Sequence, residues 1–490
     1  MIEYRYQYEF IGGIIVQSEP FSACTSILIG KNATVDGSVI IGRNEDSRPA
    51  WPKNFVVHPA VTHDDSQVFT SQDNAFSMPL PTQAAKYTAT PEWTTKYGLF
   101  EEDGINEYGV AMSATESTYA NVRVLAADPL VKDGIGEEAM ITVTLPYIKS
   151  AREGVKRLGT IVATYGTDES NGILFADQNE AWYFETGSGH YWVAQRIPDD
   201  SYAVIANQMA IQEIDFADPD NFMWHPGIQK FVSNYALNPV RQGFNFRKIF
   251  GTANQMDTYY NLPRVWYGQK MFNPEISQAV NSYDLPFLRQ ATNLLSVDDA
   301  KTFLSSHYQG TAYDPIGSGS PEDRKRFRPV SLATTQESHV LQLRQFAQPE
   351  LAGIHWLAMG VAAQSVYVPF YAGILSTPAA YQTSDKVSYQ PDSAYWVYKQ
   401  AGVMVDSHYH EFGGLLSDVQ KDLNQQFGQA VIEADHVGQD LDGVELAAYL
   451  TKVSTAQAEL GLKRYRDLTA DLITKATGLS PLRYKQDLNL

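Results

Sequence analysis

Residues 24–47 read CTSILIGKNATVDGSVIIGRNEDS. A strand-like stretch, CTSILIG, meets a turn-rich break, KNATVDG. A second strand, SVIIG, then ends in the charged cluster Arg43-Asn44-Glu45-Asp46. Ile27, Ile29, Val39 and Ile41 alternate as a half-buried hairpin requires. Such a hairpin folds Arg43 and Asp46 back toward Cys24, the single cysteine of the 490-residue chain. If the chain is cut before Cys24, that residue carries a thiol and a free amine beside an arginine and a carboxylate. Nucleophile, base and tuning charges then share one hairpin.

Working outward, 490 residues suffice for one large domain or two to three ordinary ones. Aromatics are plentiful and charged residues are only 19%, so the signature of disorder is absent. A net charge of −19 repels phosphate backbones and argues against a nucleic-acid partner. No apolar run reaches the length of a membrane span, and a lone cysteine excludes an internal disulfide framework or a multi-cysteine zinc site. It fits a reducing, cytoplasmic setting. Residues 1–23 lack the positive start and long apolar run of an export signal. Phe21-Ser22-Ala23-Cys24 loosely resembles a lipoprotein cleavage site, at which Cys24 would be lipidated; the acidic start and broken apolar run speak against export. A propeptide removed by self-cleavage is the other reading.

Along the chain, GINEYGVAMSAT (104–115) predicts a turn from Asn106 to Gly109 followed by a strand. Glu137 and Glu138 begin a helical region that ends near Lys156, Arg157 and Gly159, with Pro146 breaking it. GILFAD, AWYFETG, HYWVAQRI and SYAVIAN predict one antiparallel sheet ending near Asn207. Helical segments are expected around 241–251 and 297–307. Residues 315–329, PIGSGSPEDRKRFRP, predict a loop whose basic run is a solvated surface. PVSLATT, SHVLQLRQF, GIHWLAMG and SVYVPFYAGI predict a second group of strands. Leucines at helical spacing predict helices over 411–430 and 443–477. The paired C-terminal helices suit either an assembly surface, giving a homo-oligomer, or a cap on the domain. The order of elements points to an α+β layered fold, organised as a leader (1–23), a catalytic domain (24–410) and a C-terminal helical segment (411–490).

A lone cysteine is usually a small buried hydrophobe, but Cys24 heads a strand at a plausible processing site. No papain-type signature accompanies it, and none of the ten histidines is near it in sequence. An N-terminal cysteine does not need one, since its α-amine, with a pKa of roughly 7.7–8.0, accepts the thiol proton directly or through a water. Arg43 stabilises a thiolate and Asp46 can orient the amine. In isolation the same two residues would read as a surface salt bridge of little worth. Asp215, Asp218 and Asp220 lack the glycine and glutamate of a calcium loop and read as an acidic turn. His408 and His410 lie two apart without further ligands. Phosphate-loop and dinucleotide fingerprints are absent.

CTSILIG, GSVIIGRNED, GIGEEAM, LPYIKSAREGV, SLATTQESHVLQLR and SVYVPFYAGI, in this order, resemble the cysteine-type dipeptidase A family of N-terminal-nucleophile (Ntn) hydrolases, from about Cys24 to the C-terminus. The resemblance implies an αββα sandwich, autocatalytic removal of residues 1–23, and hydrolysis of dipeptides through a thioester without metal or organic cofactor. It implies that Cys24, Arg43 and Asp46 are catalytic, that Asn207 is an oxyanion donor, and that Arg264, in NLPRVWYG, supports the site. A second oxyanion donor is expected around 111–117, with Thr115 and Glu116 both open. The wider superfamily includes choloylglycine hydrolases and penicillin V acylases, so cleavage of a non-peptide amide is the alternative activity.

Overall fold

The hairpin read at residues 24–47 is formed, with Ser26 opposite Arg43 and Leu28 opposite Ile41. The computed structural model describes residues 24–116, 118–480 and 482, and the backbone alone of two earlier strands, Gln7–Ile11 and Ile14–Ser18. The expected cleavage point after Ala23 lies outside the described residues. The principal elements are β1 (Thr25–Ile29), β2 (Val39–Asp46), β3 (Asp103–Ile105), β4 (Ala111–Glu116), α1 (Glu137–Thr144), α2 (Ala151–Tyr165), β5 (Asn171–Ala176), β6 (Ala181–Thr186), β7 (Trp192–Ile197), β8 (Tyr202–Ile205) and β9 (Phe222–Trp224). There follow α3 (Leu262–Phe272), β10 (Leu288–Arg289), α4 (Val297–Leu304), β11 (Thr335–Leu343), β12 (Gly353–Met359), β13 (Val368–Tyr371), α5 (Ala394–Ser407), α6 (Tyr409–Gly438) and α7 (Gly443–Ala476).

Helices and antiparallel strands are mixed throughout. One sheet has six strands in the order β3-β4-β5-β6-β7-β9, and the other has seven in the order β10-β8-β1-β2-β11-β12-β13. The β1–β2 hairpin therefore lies inside its sheet and is covered on both faces. Leu28, Val39 and Ile41 pack with Leu174, Tyr183 and Val193 of the six-stranded sheet. Ile27, Ile29 and Ile40 pack instead with Phe303 and Leu304 of α4, in the core that also takes in Leu423, Leu450 and Leu472 of α6 and α7. The expected half-buried pattern is thus corrected to a doubly buried one, which explains why the hairpin reads as near-continuous apolar sequence. Each such side chain contributes about 1.5–3 kcal/mol on burial. On the far side of the six-stranded sheet, Phe175, Trp182 and Phe184 pack against Ile141 of α1 and Leu158 of α2.

The turn at 106–109 is present, with Gly109 at φ +72° and its N–H donating to Asn106 O. Pro146 lies in the break between α1 and α2. Gly159 does not end α2: a Cβ there would stand 2.2 Å from Trp192, so this glycine makes room for an indole. The helix runs on to Tyr165 and stops at Gly166, φ +75°.

Three further expectations are overturned. SYAVIAN does not complete the sheet of its predecessors. After the turn at Pro198–Ser201 the chain crosses to the other sheet, where Tyr202 pairs with Ile29 and Ile205 with Ser26. PVSLATT is a turn up to Thr335, where β11 begins. Among the described residues the C-terminal helices are three, because α5 precedes the expected pair and α6 spans Tyr409–Gly438. Among the described residues, no helix is long and apolar enough to cross a membrane.

Candidate active site

Cys24 immediately precedes β1 and is 2% exposed. Period-two alternation puts Arg43 of β2 on the same face as Ser26, toward the six-stranded sheet. There its guanidinium donates from Nη1 to Cys24 Sγ (3.2 Å), from Nε to Ser113 Oγ of β4 (2.8 Å), and from Nη2 to Glu102 Oε2 (2.7 Å) and Glu102 O (3.1 Å). Burial opposes the charge on Arg43, but Cys24, Glu102, Glu137 and Glu45 outweigh it and hold the pKa well above its ordinary value. Arg43 is thus a fixed cation aimed at the sulfur. Lys53 stands behind it, 3.3 Å from Glu45 and 3.7 Å from Glu102.

Arg264 of α3 approaches the same residue from elsewhere. Its Nη1 donates to Cys24 O (2.6 Å) and Thr25 Oγ1 (2.8 Å), its Nη2 to Asn207 Oδ1 (2.7 Å) and Asn261 Oδ1 (2.9 Å), and its Nε to Tyr260 O (2.9 Å). Burial and the nearby Arg328 push its pKa down. The acceptors nevertheless match its five N–H groups one for one, which requires the full guanidinium. An arginine only donates, so the atom it meets on Asn207 is Oδ1 and the other end of that amide, Nδ2, is a donor. Extending the β8–β1 register beyond Ile205–Ser26 sets Asn207 opposite Cys24.

Asp46 ends β2, two residues past the last ladder pair, Thr25–Asn44. Its Oδ2 lies 2.5 Å from Arg328 Nη2 and its Oδ1 accepts from Thr335 Oγ1 at 2.5 Å. Among the described residues it makes no direct bond to Cys24. Arg328 also donates to Thr25 Oγ1 (3.2 Å). The basic run of 315–329 is therefore not all solvated surface: the Arg328 side chain is 7% exposed. Thr115 lies two residues beyond Ser113 on the same face of β4, and among the described residues its buried hydroxyl has no hydrogen-bond partner. Glu116 falls on the opposite face, with Met112 and Ala114. The structure thus gathers Arg43, Asn207 and Arg264 around Cys24, with Asp46 held at the end of the neighbouring strand.

Behind Ser113 lies a buried group that sequence reasoning missed. His339 Nε2 is 3.0 Å from Ser113 Oγ, and its Nδ1 is 2.6 Å from Asp103 and 2.9 Å from Glu337. Burial opposes the imidazolium, but the two carboxylates outweigh it and hold the pKa up at about 9. Asp103, Glu337 and His339 present ligand atoms within 4.8 Å of one another; these bonds to Nδ1 already account for their proximity. Glu137 and His339 lie in the segments GIGEEAM and SLATTQESHVLQLR, but nothing in those segments marks either residue as part of the site, and Glu102, Ser113 and Arg328 carry no local motif. The available signal was polar residues inside strand patterns, as in SHVLQL and EEDGI. His408 and His410 lie at the start of α6 rather than on a strand, and Asp215 and Asp218 form a turn as expected.

Residues 23–422 match Peptidase family C69. The chain belongs to that family. Three of its relatives cover nearly the whole length. The chain is 47% identical over 471 residues to a probable dipeptidase of Latilactobacillus sakei, covering 96% of this chain and 98% of that one. It is 39% identical to probable dipeptidase B of Lactococcus lactis subsp. lactis (96% and 99%) and 36% identical to dipeptidase A of Lactobacillus helveticus (94% and 98%). The solved structure of penicillin V acylase from Agrobacterium tumefaciens covers 69% of this chain and 86% of its own at 14% identity and a TM-score of 0.30, a likeness too slight to carry an argument. Within this C69 peptidase, Cys24 is the one thiol of the sequence, and Arg43 is the one group among the described residues that bonds its sulfur.

Proposed function

We propose that the mature protein is a dipeptidase of broad specificity that works through Cys24 after the leader is removed. The observation that carries this reading is the buried contact of Arg43 Nη1 with Cys24 Sγ in a member of a peptidase family. Cys24 Sγ attacks the carbonyl carbon of the peptide bond while the α-amine of Cys24 takes the thiol proton. The tetrahedral intermediate collapses to a thioester as that proton passes to the departing amine of the second residue. Water then adds to the thioester, the α-amine again acting as base, and the first residue leaves as an acid. Asn207 Nδ2 and the hydroxyl of Thr115 are the donors we assign to the oxyanion. Arg264 positions Asn207, and Asp46, braced by Arg328 and Thr335, positions the amine. The two sheets and their helical covers support an αββα Ntn-hydrolase sandwich, with the C-terminal helices packed on the seven-stranded sheet. We place the reaction in the cytoplasm, where a free thiol stays reduced.

Intact mass of purified protein and a substrate panel test the reading together. Loss of residues 1–23 with an unmodified cysteine, and cleavage of dipeptides in preference to conjugated bile salts or penicillin V, are expected. A lipid-sized mass increase, or activity confined to the acyl amides, would reject it.

A further inference from the structure

Glu137 takes no part in the chemistry above, yet it is close to it. It is the first residue of α1 and 8% exposed. Its backbone N–H donates to Glu169 Oε1, but among the described residues no hydrogen bond or ion pair reaches its carboxylate. Glu169 lies two residues before Asn171, which pairs with Glu116 at the end of β4, so Glu137 stands at the end of the strand that carries Ser113 and Thr115; Glu102, Glu169, Cys24 and Arg43 act most strongly on its carboxylate. Burial, followed by Glu102, Glu169 and Cys24, pushes its pKa well up. Both buried cations of this corner are already engaged, Arg43 by Cys24, Ser113 and Glu102, and Lys53 by Glu45, Glu102 and Phe100 O. A carboxylate buried without a partner is costly, and here the missing partner is a positive charge beside the nucleophile.

A dipeptide carries such a charge at a fixed place. Its α-ammonium sits on the carbon bonded to the carbonyl that Cys24 attacks, so whatever binds it must lie next to Sγ. We propose that Glu137 receives the free α-ammonium of the dipeptide's first residue and makes the site selective for an unblocked amino terminus. The inference rests on the dipeptidase reading and adds the group that recognises one end of the substrate. Glu102, held by Arg43 and Lys53, is neutralised and leaves this task to Glu137.

The test compares Ala-Ala with N-acetyl-Ala-Ala, using wild type and E137Q, an isosteric change that removes the charge. Losing one partner of a buried ion pair costs about thirtyfold or more in affinity. Wild type should therefore favour the free amine by at least that factor in kcat/KM. E137Q should lose most of this preference, while leader removal (intact mass) and alkylation of Cys24 by iodoacetamide stay unchanged. If E137Q does not fold, E137D and the wild-type preference decide, with E137D expected to fall between wild type and no preference. Equal wild-type rates on both peptides would overturn the proposal while leaving the dipeptidase reading intact. So would an E137Q loss shared equally by both substrates, as expected if Glu137 served the amine of Cys24. Absence of any wild-type dipeptide cleavage would reject the dipeptidase reading itself.

Discussion

Replacing Arg264 with lysine keeps the charge and removes the fork. Five acceptors now meet five N–H groups: Tyr260 O, Cys24 O, Thr25 Oγ1, Asn207 Oδ1 and Asn261 Oδ1. An ammonium offers three donors from one point, so at least two buried acceptors lose their partner. Hydrogen bonds to charged groups are worth about 1.5–3 kcal/mol each, which puts the loss in unfolding free energy at about 3–6 kcal/mol. That is a large part of a stability of about 5–15 kcal/mol, but it does not abolish folding at the upper end. The catalytic effect has a different origin. With Oδ1 of Asn207 no longer held, Nδ2 loses its aim, and removal of an oxyanion donor costs about 10²–10³ in kcat. Urea unfolding measures the first effect, and steady-state kinetics on a dipeptide measures the second. N207A and the N207A/R264K double variant separate them. If Arg264 acts through Asn207, the double variant has nearly the kcat of N207A alone. Multiplicative losses in kcat, or an R264K stability within about 1 kcal/mol of wild type, would refute the reasoning.

Cys24→Ala should abolish dipeptide turnover and leave residues 1–23 attached, which intact mass reads directly. Asp46→Asn retains one acceptor but leaves Arg328 uncompensated, and removing one partner of a buried pair costs about 3–5 kcal/mol; a drop in the thermal midpoint with lower kcat is expected, and an unchanged midpoint would count against the pair. His339 has its folded pKa raised from 6.5 to about 9. Its stabilising contribution is therefore complete below pH 6.5 and is lost as the pH climbs through 9, by at most about 3 kcal/mol. The difference in unfolding free energy between wild type and H339Q should shrink over that window; a difference that is constant or grows with pH would show that the imidazole is not held protonated.

Much of the fold was legible because its elements announce themselves locally. The hairpin at 24–46, the turn at Asn106–Gly109 and the break at Pro146 all rest on short-range chemistry that tertiary contacts did not override. What local pattern cannot express is which sheet a strand joins. SYAVIAN looks like its three predecessors, and only its ladder with β1 separates it from them, yet that ladder is what brings Asn207 level with Cys24. Gly159 shows the same limit, since a glycine that looks like a helix stop is a cavity for Trp192. The site divides in a similar way. Cys24, Arg43 and Asp46 lie within one hairpin and could be read together. Glu102, Ser113, Glu137, Arg328 and His339 reach it from distant segments, and Arg328 stood in a run that composition alone assigns to solvent.

How these groups are connected bears on the proposed base. The imidazole tied to this site is that of His339, and two groups separate it from the sulfur: Ser113 Oγ meets its Nε2, and Arg43 stands between Ser113 and Cys24. Asp103 and Glu337 also hold His339 protonated up to about pH 9, so near neutrality it has no capacity to accept a proton. Arg43 only donates, and no carboxylate among the described residues bonds Sγ. Under the proposed function the base is the nitrogen of Cys24 itself, an amide while the preceding peptide bond is intact and an amine once it is cut. On that reading, cutting the bond before Cys24 creates the proton acceptor, and a chain that keeps residues 1–23 would have the thiol and its arginine without the amine.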